Sequence, residues 1–150
     1  MKRIKEILLF TLLGIGLSAC THNDGDIGVY FGTWKVEEIT IDGVVDMDYQ
    51  DNLFFQFQSG VFCMRRVDEH HVATVSWGSW EEVSDNVLRL SFVYSDDNAP
   101  EGSEKYSPLP ESHLPKGVSD LEILQLTGSV MRLQYVAGDK IDYEYKLKKW

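Results

Sequence analysis

The stretch LEILQLTGSVMRLQYVAGDKIDYEYKLKK, residues 121–149, alternates apolar and polar side chains and breaks its rhythm only around Thr127–Ser129 and Ala137–Lys140. Period-two alternation is what a β-strand with one buried face produces, whereas a helix repeats about every 3.6 residues. Gly128-Ser129 reads as a two-residue hairpin turn, so Leu126 is expected opposite Met131 and Leu124 opposite Leu133. Around Ala137–Asp139 the same logic sets Leu133 opposite Tyr143, Met131 opposite Tyr145 and Tyr135 opposite Ile141. Both registers keep apolar residues on one face, and burial of one face is what specifies register. They also bring Gln125, Arg132 and Glu144 together as a polar ladder on the other face.

The same rhythm runs upstream. TWKVEEITI (33–41), LFFQFQ (53–58), VFCMRRV (61–67), VATVSWGSWEEV (72–83) and VLRLSFVY (87–94) read as strands, before those at 121–127, 130–136 and 141–149. They are rich in β-branched and aromatic residues and bounded by Gly, Asn, Asp and Ser. The QSGV turn sets Phe57 opposite Phe62 and Phe55 opposite Met64 inside, with Cys63 outside. Trp77 and Trp80 have opposite parity, and a bulge at Gly78 would turn both inward. One connection is long: Ser95–Asp120 carries all four prolines and few apolar residues, so it is expected to be mobile. An eight-strand meander with one polar face is best closed on itself, since closure removes edge strands. The predicted fold is all-β, an eight-stranded antiparallel up-and-down barrel; the alternative is an open two-sheet β-sandwich.

The residues Gly32-Thr33-Trp34 opening the first strand, Gly78-Ser79-Trp80 in mid-chain and the closing stretch 121–149 resemble the lipocalin-like lipoproteins of Bacteroidetes-type bacteria over about residues 30–149. No helix follows the eighth strand, unlike true lipocalins, so their transport role is not carried over. The N-terminus extends the resemblance. Met1–Glu6 is basic on balance and Ile7–Leu17 is apolar but for Thr11, the pattern of a secretory leader. The apolar run is too short to span a bilayer. It ends in Leu17-Ser18-Ala19-Cys20, which resembles a bacterial lipobox; the resemblance implies acylation of Cys20. The expected organisation is a leader over 1–19, a lipidated tether over 20–29 and a barrel domain over 30–150. The expected location is the cell envelope, at the outer membrane.

Net charge is −10, and the leader holds Lys2, Arg3, Lys5 and Glu6, so its removal leaves about −12. Nucleic acid is not an expected partner, because phosphate contacts need a basic stripe. The acidity also argues against anionic lipid headgroups. With Cys20 acylated, Cys63 stands alone and no intramolecular disulfide forms.

In an up-and-down meander, successive connections alternate between two ends. Asp42–Asn52 and Ser95–Asp120 then share one end, opposite the tight turns and the incoming chain. That rim gathers Asp46, Asp48, Asp51, Asp96 and Asp97, which could bind Ca²⁺, a cationic ligand or sugar hydroxyls, or simply be solvated. The interior offers Trp34, Trp80, Tyr94, Tyr135 and Tyr143, together with Phe, Leu and Met side chains, either as a cup for an apolar or aromatic ligand or as barrel filling. Arg66 points inward near the long-loop rim, where it could orient a ligand carboxylate or pair with a rim acid.

No Ser/His/Asp order or Cys/His pair is recognisable. Glu111 and His113 are two apart, a weak signal, and the adjacent His70 and His71 would point to opposite faces. The expected function is non-enzymatic binding of a small ligand at the long-loop end, by a monomer. The alternative is docking of an envelope protein or glycan through the acidic rim.

Overall fold

A computed structural model describes residues 28–95 and 105–150. The leader, Cys20, Asp96 and Asp97 lie outside the described residues. The strands are β1 (Gly32–Ile41), β2 (Val44–Val45), β3 (Leu53–Gln58), β4 (Val61–Val67), β5 (Ala73–Ser84), β6 (Val87–Phe92), β7 (Gly117–Leu126), β8 (Val130–Val136) and β9 (Asp142–Lys149). All neighbours are antiparallel in sequence order, and β2 is a short flap hydrogen-bonded to β1. β1 then pairs with β9 from Trp34↔Lys149 to Ile41↔Tyr143, which closes the eight long strands into a barrel and sets the sandwich aside. Among the described residues the helical structure is a single 3-10 turn at Pro110–Ser112.

The tight turns fix the register expected of them. Phe57 faces Phe62, Phe55 faces Met64 and Leu126 faces Met131. Two expectations are corrected. Leu124 does not face Leu133; Ile123 does, because a bulge between Ile123 and Gln125 turns Leu124 to solvent. Leu121 and Leu126 have opposite parity, and the extra residue lets Leu121, Ile123 and Leu126 all reach the interior. The β8–β9 hairpin is also longer than expected, with a turn over 137–141 in which Lys140 takes a left-handed conformation. Leu133 therefore faces Tyr145, Met131 faces Leu147 and Tyr135 faces Tyr143. The shift is two residues, so every side chain keeps its face.

Trp77 and Trp80 are not brought to one face. β4 and β5 pair without a bulge, so Trp77 stays outward and 42% exposed while Trp80 turns in against Tyr30 and Phe57. Gly78 instead permits close strand approach, since a Cβ there would lie 2.6 Å from the Ser91 carbonyl oxygen and 3.1 Å from the Phe92 ring. Cys63 faces outward as expected yet is buried between its cross-strand neighbours Gln56 and Trp77, and burial pushes its thiol up to about 11.

The interior is filled. Trp34, Phe55, Phe57, Phe62, Leu88, Leu90, Met131, Leu133 and Tyr145 are fully buried. The Phe62 ring contacts those of Phe55 and Phe57 at centroid separations of 5.2 and 5.0 Å, a spacing typical of favourable tilted and edge-to-face pairs.

Candidate functional site

The two ends of this barrel are built differently. At the tight-turn end the incoming chain folds under the barrel, and Tyr30 packs its ring against Trp80 and Phe57 at 5.0 and 5.8 Å. The Tyr30 carbonyl accepts from Trp34 Nε1 at 2.8 Å. Lys149 lays its ammonium 4.3 Å from the Trp34 ring centroid and donates to the Val29 carbonyl at 3.2 Å and to that of Phe31. A cation over an indole face is held by the ring quadrupole, and here it ties the last strand to the incoming segment. Partial burial lowers the Lys149 pKa. Trp34, an expected cup residue, is thus buried and bonded at the end away from the long loops.

At the other end the long connections meet, as the meander requires. His113 Nε2 lies 3.2 Å from Asp46 Oδ2, which joins the Ser95–Asp120 connection to the Asp42–Asn52 one. Residues 105–114 do not stand off into solvent as their composition suggested. Leu109, Ser112 and Leu114 are buried, and the segment lies over the barrel mouth. Backbone groups do much of the docking. Trp77 N–H donates to the Lys105 carbonyl at 2.7 Å, the Ser76 hydroxyl donates to the Ser107 carbonyl, and the Tyr145 hydroxyl donates to the Ser112 carbonyl at 2.6 Å. The last two satisfy carbonyls of buried residues that would otherwise lack a partner. The expectation of a loop with little to hold it is corrected for this segment.

The structure places the remaining expected residues as follows. Arg66 points inward at the end of β4, opposite Leu53, where its guanidinium pairs with Glu111 and donates to Thr74 Oγ1 at 3.1 Å. Tyr94 does not point inward: it lies beyond the end of β6, is 59% exposed and meets Tyr106 edge-on. Trp80 is half-buried at the tight-turn end, far along the strand from Tyr135 and Tyr143. Tyr135 and Tyr143 sit at the long-loop end and stack on each other at 6.3 Å and 21°. His113 extends that stack, 5.1 Å from Tyr143 at 15°. Burial raises the Tyr143 phenol, and the carboxylates of Asp139 and Asp42 add to the shift.

Of the rim acids, Asp46 is bonded to His113 and caps its own loop through the Asp48 N–H at 3.0 Å. Asp51 pairs with Lys35 at 2.6 Å, and Asp48 is exposed. Among the described residues no group of three or more His, Cys, Asp or Glu side chains is gathered for a metal ion. Glu111 and His113 turn to different partners, Arg66 and Asp46.

Sequence reasoning did not find the role of Tyr30, Ser112 or His113. The available signal was Leu109 and Leu114, two apolar residues set among the prolines of an otherwise polar connection.

No family model matches the chain, and no curated protein matches it. Solved structures do. The chain is similar to a lipocalin-like protein from Bacteroides uniformis, with 18% identity over 82% of this chain and 100% of that one and a TM-score of 0.56. It is similar also to an uncharacterized protein from Bacteroides eggerthii, with 19% identity over 81% of this chain and 99% of that one and a TM-score of 0.58. The fold is a lipocalin-like barrel.

Proposed function

We propose that the protein is a non-enzymatic binding protein, anchored in the cell envelope through an acylated Cys20, that holds a small aromatic ligand at the long-loop end of its barrel. The observation that carries this reading is the His113–Tyr143–Tyr135 stack, three near-parallel rings beside Asp42, Asp46 and Asp139. A half-buried ring stack offers a flat apolar surface that a planar ligand can extend, and the carboxylates favour a ligand carrying positive charge. The filled interior argues for a ligand held at the rim and against one deep inside. Docking of a protein or glycan through the acidic rim is less well supported, because Asp46 and Asp51 already have partners.

The test uses proflavine, a planar aromatic cation, and 1-anilinonaphthalene-8-sulfonate, an aromatic anion of similar extent. Proflavine should bind, should bind more weakly as salt is raised, and should lose affinity in Tyr143→Ala. Equal binding of both dyes, or proflavine binding unchanged by Tyr143→Ala, sinks the reading.

A further inference from the structure

The outer face of β9, β1, β3 and β4 is mixed in charge toward the long-loop end, where Lys146 stands opposite Glu38 and Glu144 opposite Thr40. Nearer the tight-turn end the outward side chains include Lys148, Arg65 and Lys35, the last paired with Asp51 at 2.6 Å. Lys148 and Lys35 are direct cross-strand partners, and Phe54 lies opposite both Lys35 and Arg65. Toward the tight-turn end this flank becomes apolar. Trp150 is 76% exposed, with its ring edge-on to Phe54 at 5.4 Å and Lys35 Nζ 5.9 Å from its centroid. Phe31, just before β1, and Val61, at the start of β4, are exposed at the same end of the barrel. The flank formed by β5, β6 and β7 carries Glu81, Asp120 and Glu122, with Arg89 bonded to Asp120.

We infer that the flank bearing Phe31, Phe54, Trp150, Arg65 and Lys148 seats the folded domain on an anionic phospholipid bilayer. Two further considerations select this occupant. Exposed Trp beside Lys and Arg is the composition that settles at a membrane–water interface, where the ring fits between headgroups and the cations meet lipid phosphate. The chain also enters the barrel at this end. Cys20 lies eight residues before Gly28, so even a fully extended tether spans at most about 28 Å. An acylated Cys20 therefore holds the tight-turn end within reach of the lipid surface, and the acidic rim points away from it. The inference rests on the anchored reading for this orientation alone.

The experiment uses the full chain produced in a Gram-negative host and reconstituted into vesicles of phosphatidylethanolamine and phosphatidylglycerol with brominated acyl chains. Bromolipid should quench a component of the tryptophan fluorescence that disappears in Trp150→Phe. Arg65→Glu with Lys148→Glu should diminish the quenching, as should high salt. These positions are solvent-facing, so the barrel should stay folded, and an unchanged denaturation midpoint checks that it does. Recovery from cells tests the anchor separately: Cys20→Ala should block processing or release the protein, and unacylated soluble wild-type protein overturns the anchor. In that event the soluble chain is added to the same vesicles, and quenching that depends on Trp150 still upholds the seat. Fluorescence that ignores bromolipid, or quenching undiminished by Trp150→Phe, overturns it. So does a dimer in solution that Trp150→Phe dissociates without any effect of lipid, which assigns the flank to a second copy.

Discussion

The Tyr145 hydroxyl, deep in the barrel, donates to the carbonyl of Ser112 at 2.6 Å and so bolts the long connection to the barrel wall. Tyr145→Phe keeps the ring and removes the bolt, leaving a buried carbonyl without its donor. Such a loss costs about 1–3 kcal/mol. Urea denaturation should show a drop of that size, and amide exchange should rise across residues 107–114 more than in β8 or β9. A uniform rise would mean that the segment does not open independently of the barrel.

Arg66 and Glu111 form a half-buried pair between β4 and the same segment, and Glu111 Oε2 has no hydrogen-bond partner among the described residues. Arg66→Leu strands that carboxylate and should destabilise the fold by about 1–2 kcal/mol. Glu111→Leu added to it removes the stranded charge and should restore most of the loss, because replacing both members of a buried pair by apolar groups is often neutral. A double-mutant cycle reads the coupling. Strict additivity would show that the two side chains do not interact in solution.

Gly78 on β5 faces the Ser91 carbonyl and the Phe92 ring of β6 with no room for a Cβ. Gly78→Ala pushes a methyl group into the Ser91 carbonyl and the Phe92 ring, and overpacking of this kind costs about 1–3 kcal/mol. The thermal midpoint should fall without loss of the β-sheet circular dichroism spectrum. Wild-type stability in this variant would mean that the two strands leave room for the methyl group.

Burial pushes the Tyr30 phenol up to about 12, with the Glu82 charge adding to the shift, and raises Tyr49 and Tyr145 further. Unfolded phenols ionise near 10.0. Below that pH both states hold these protons and the phenols leave stability unaffected. Above it the unfolded chain releases protons that the folded chain retains, so stability falls as pH rises through the folded values. Denaturation midpoints should be flat near neutrality, begin to fall above about pH 9 through the buried Cys63 thiol and fall more steeply above pH 10, with a shallower decline in Tyr30→Phe. A midpoint constant through the alkaline range would show these phenols to be solvated.

How much of this was legible in the residues depended on how local the determinant was. The pairs Phe57–Phe62 and Leu126–Met131 followed from two-residue turns, which leave no freedom of register. At Leu124 the same reasoning failed, since strict alternation does not foresee the bulge between Ile123 and Gln125 that brings Leu121 and Leu126 to one side. The inward direction of Arg66 could be read, because strand parity fixes it; its partner could not, because Glu111 is 45 residues away. His113 and Asp46 are 67 apart for the same reason. Burial of Ser107 and Ser112 was opaque for another cause: the bonds that tie them to the barrel go to their carbonyls, which every residue has.

Closure through β1 and β9 also dictates a timetable. Trp34 finds its partner in Lys149, nearly the whole domain later in the chain, so the contact that completes the barrel has among the longest sequence separations available to it. Topologies of this kind fold slowly, since the loop entropy is lost before the contact forms. Until residues 142–149 emerge, β1 and β8 each expose an unpaired edge. A nascent chain stopped short of the last strand therefore has hairpins but no barrel, and an escort that shields strand edges would be needed only until that strand is in place.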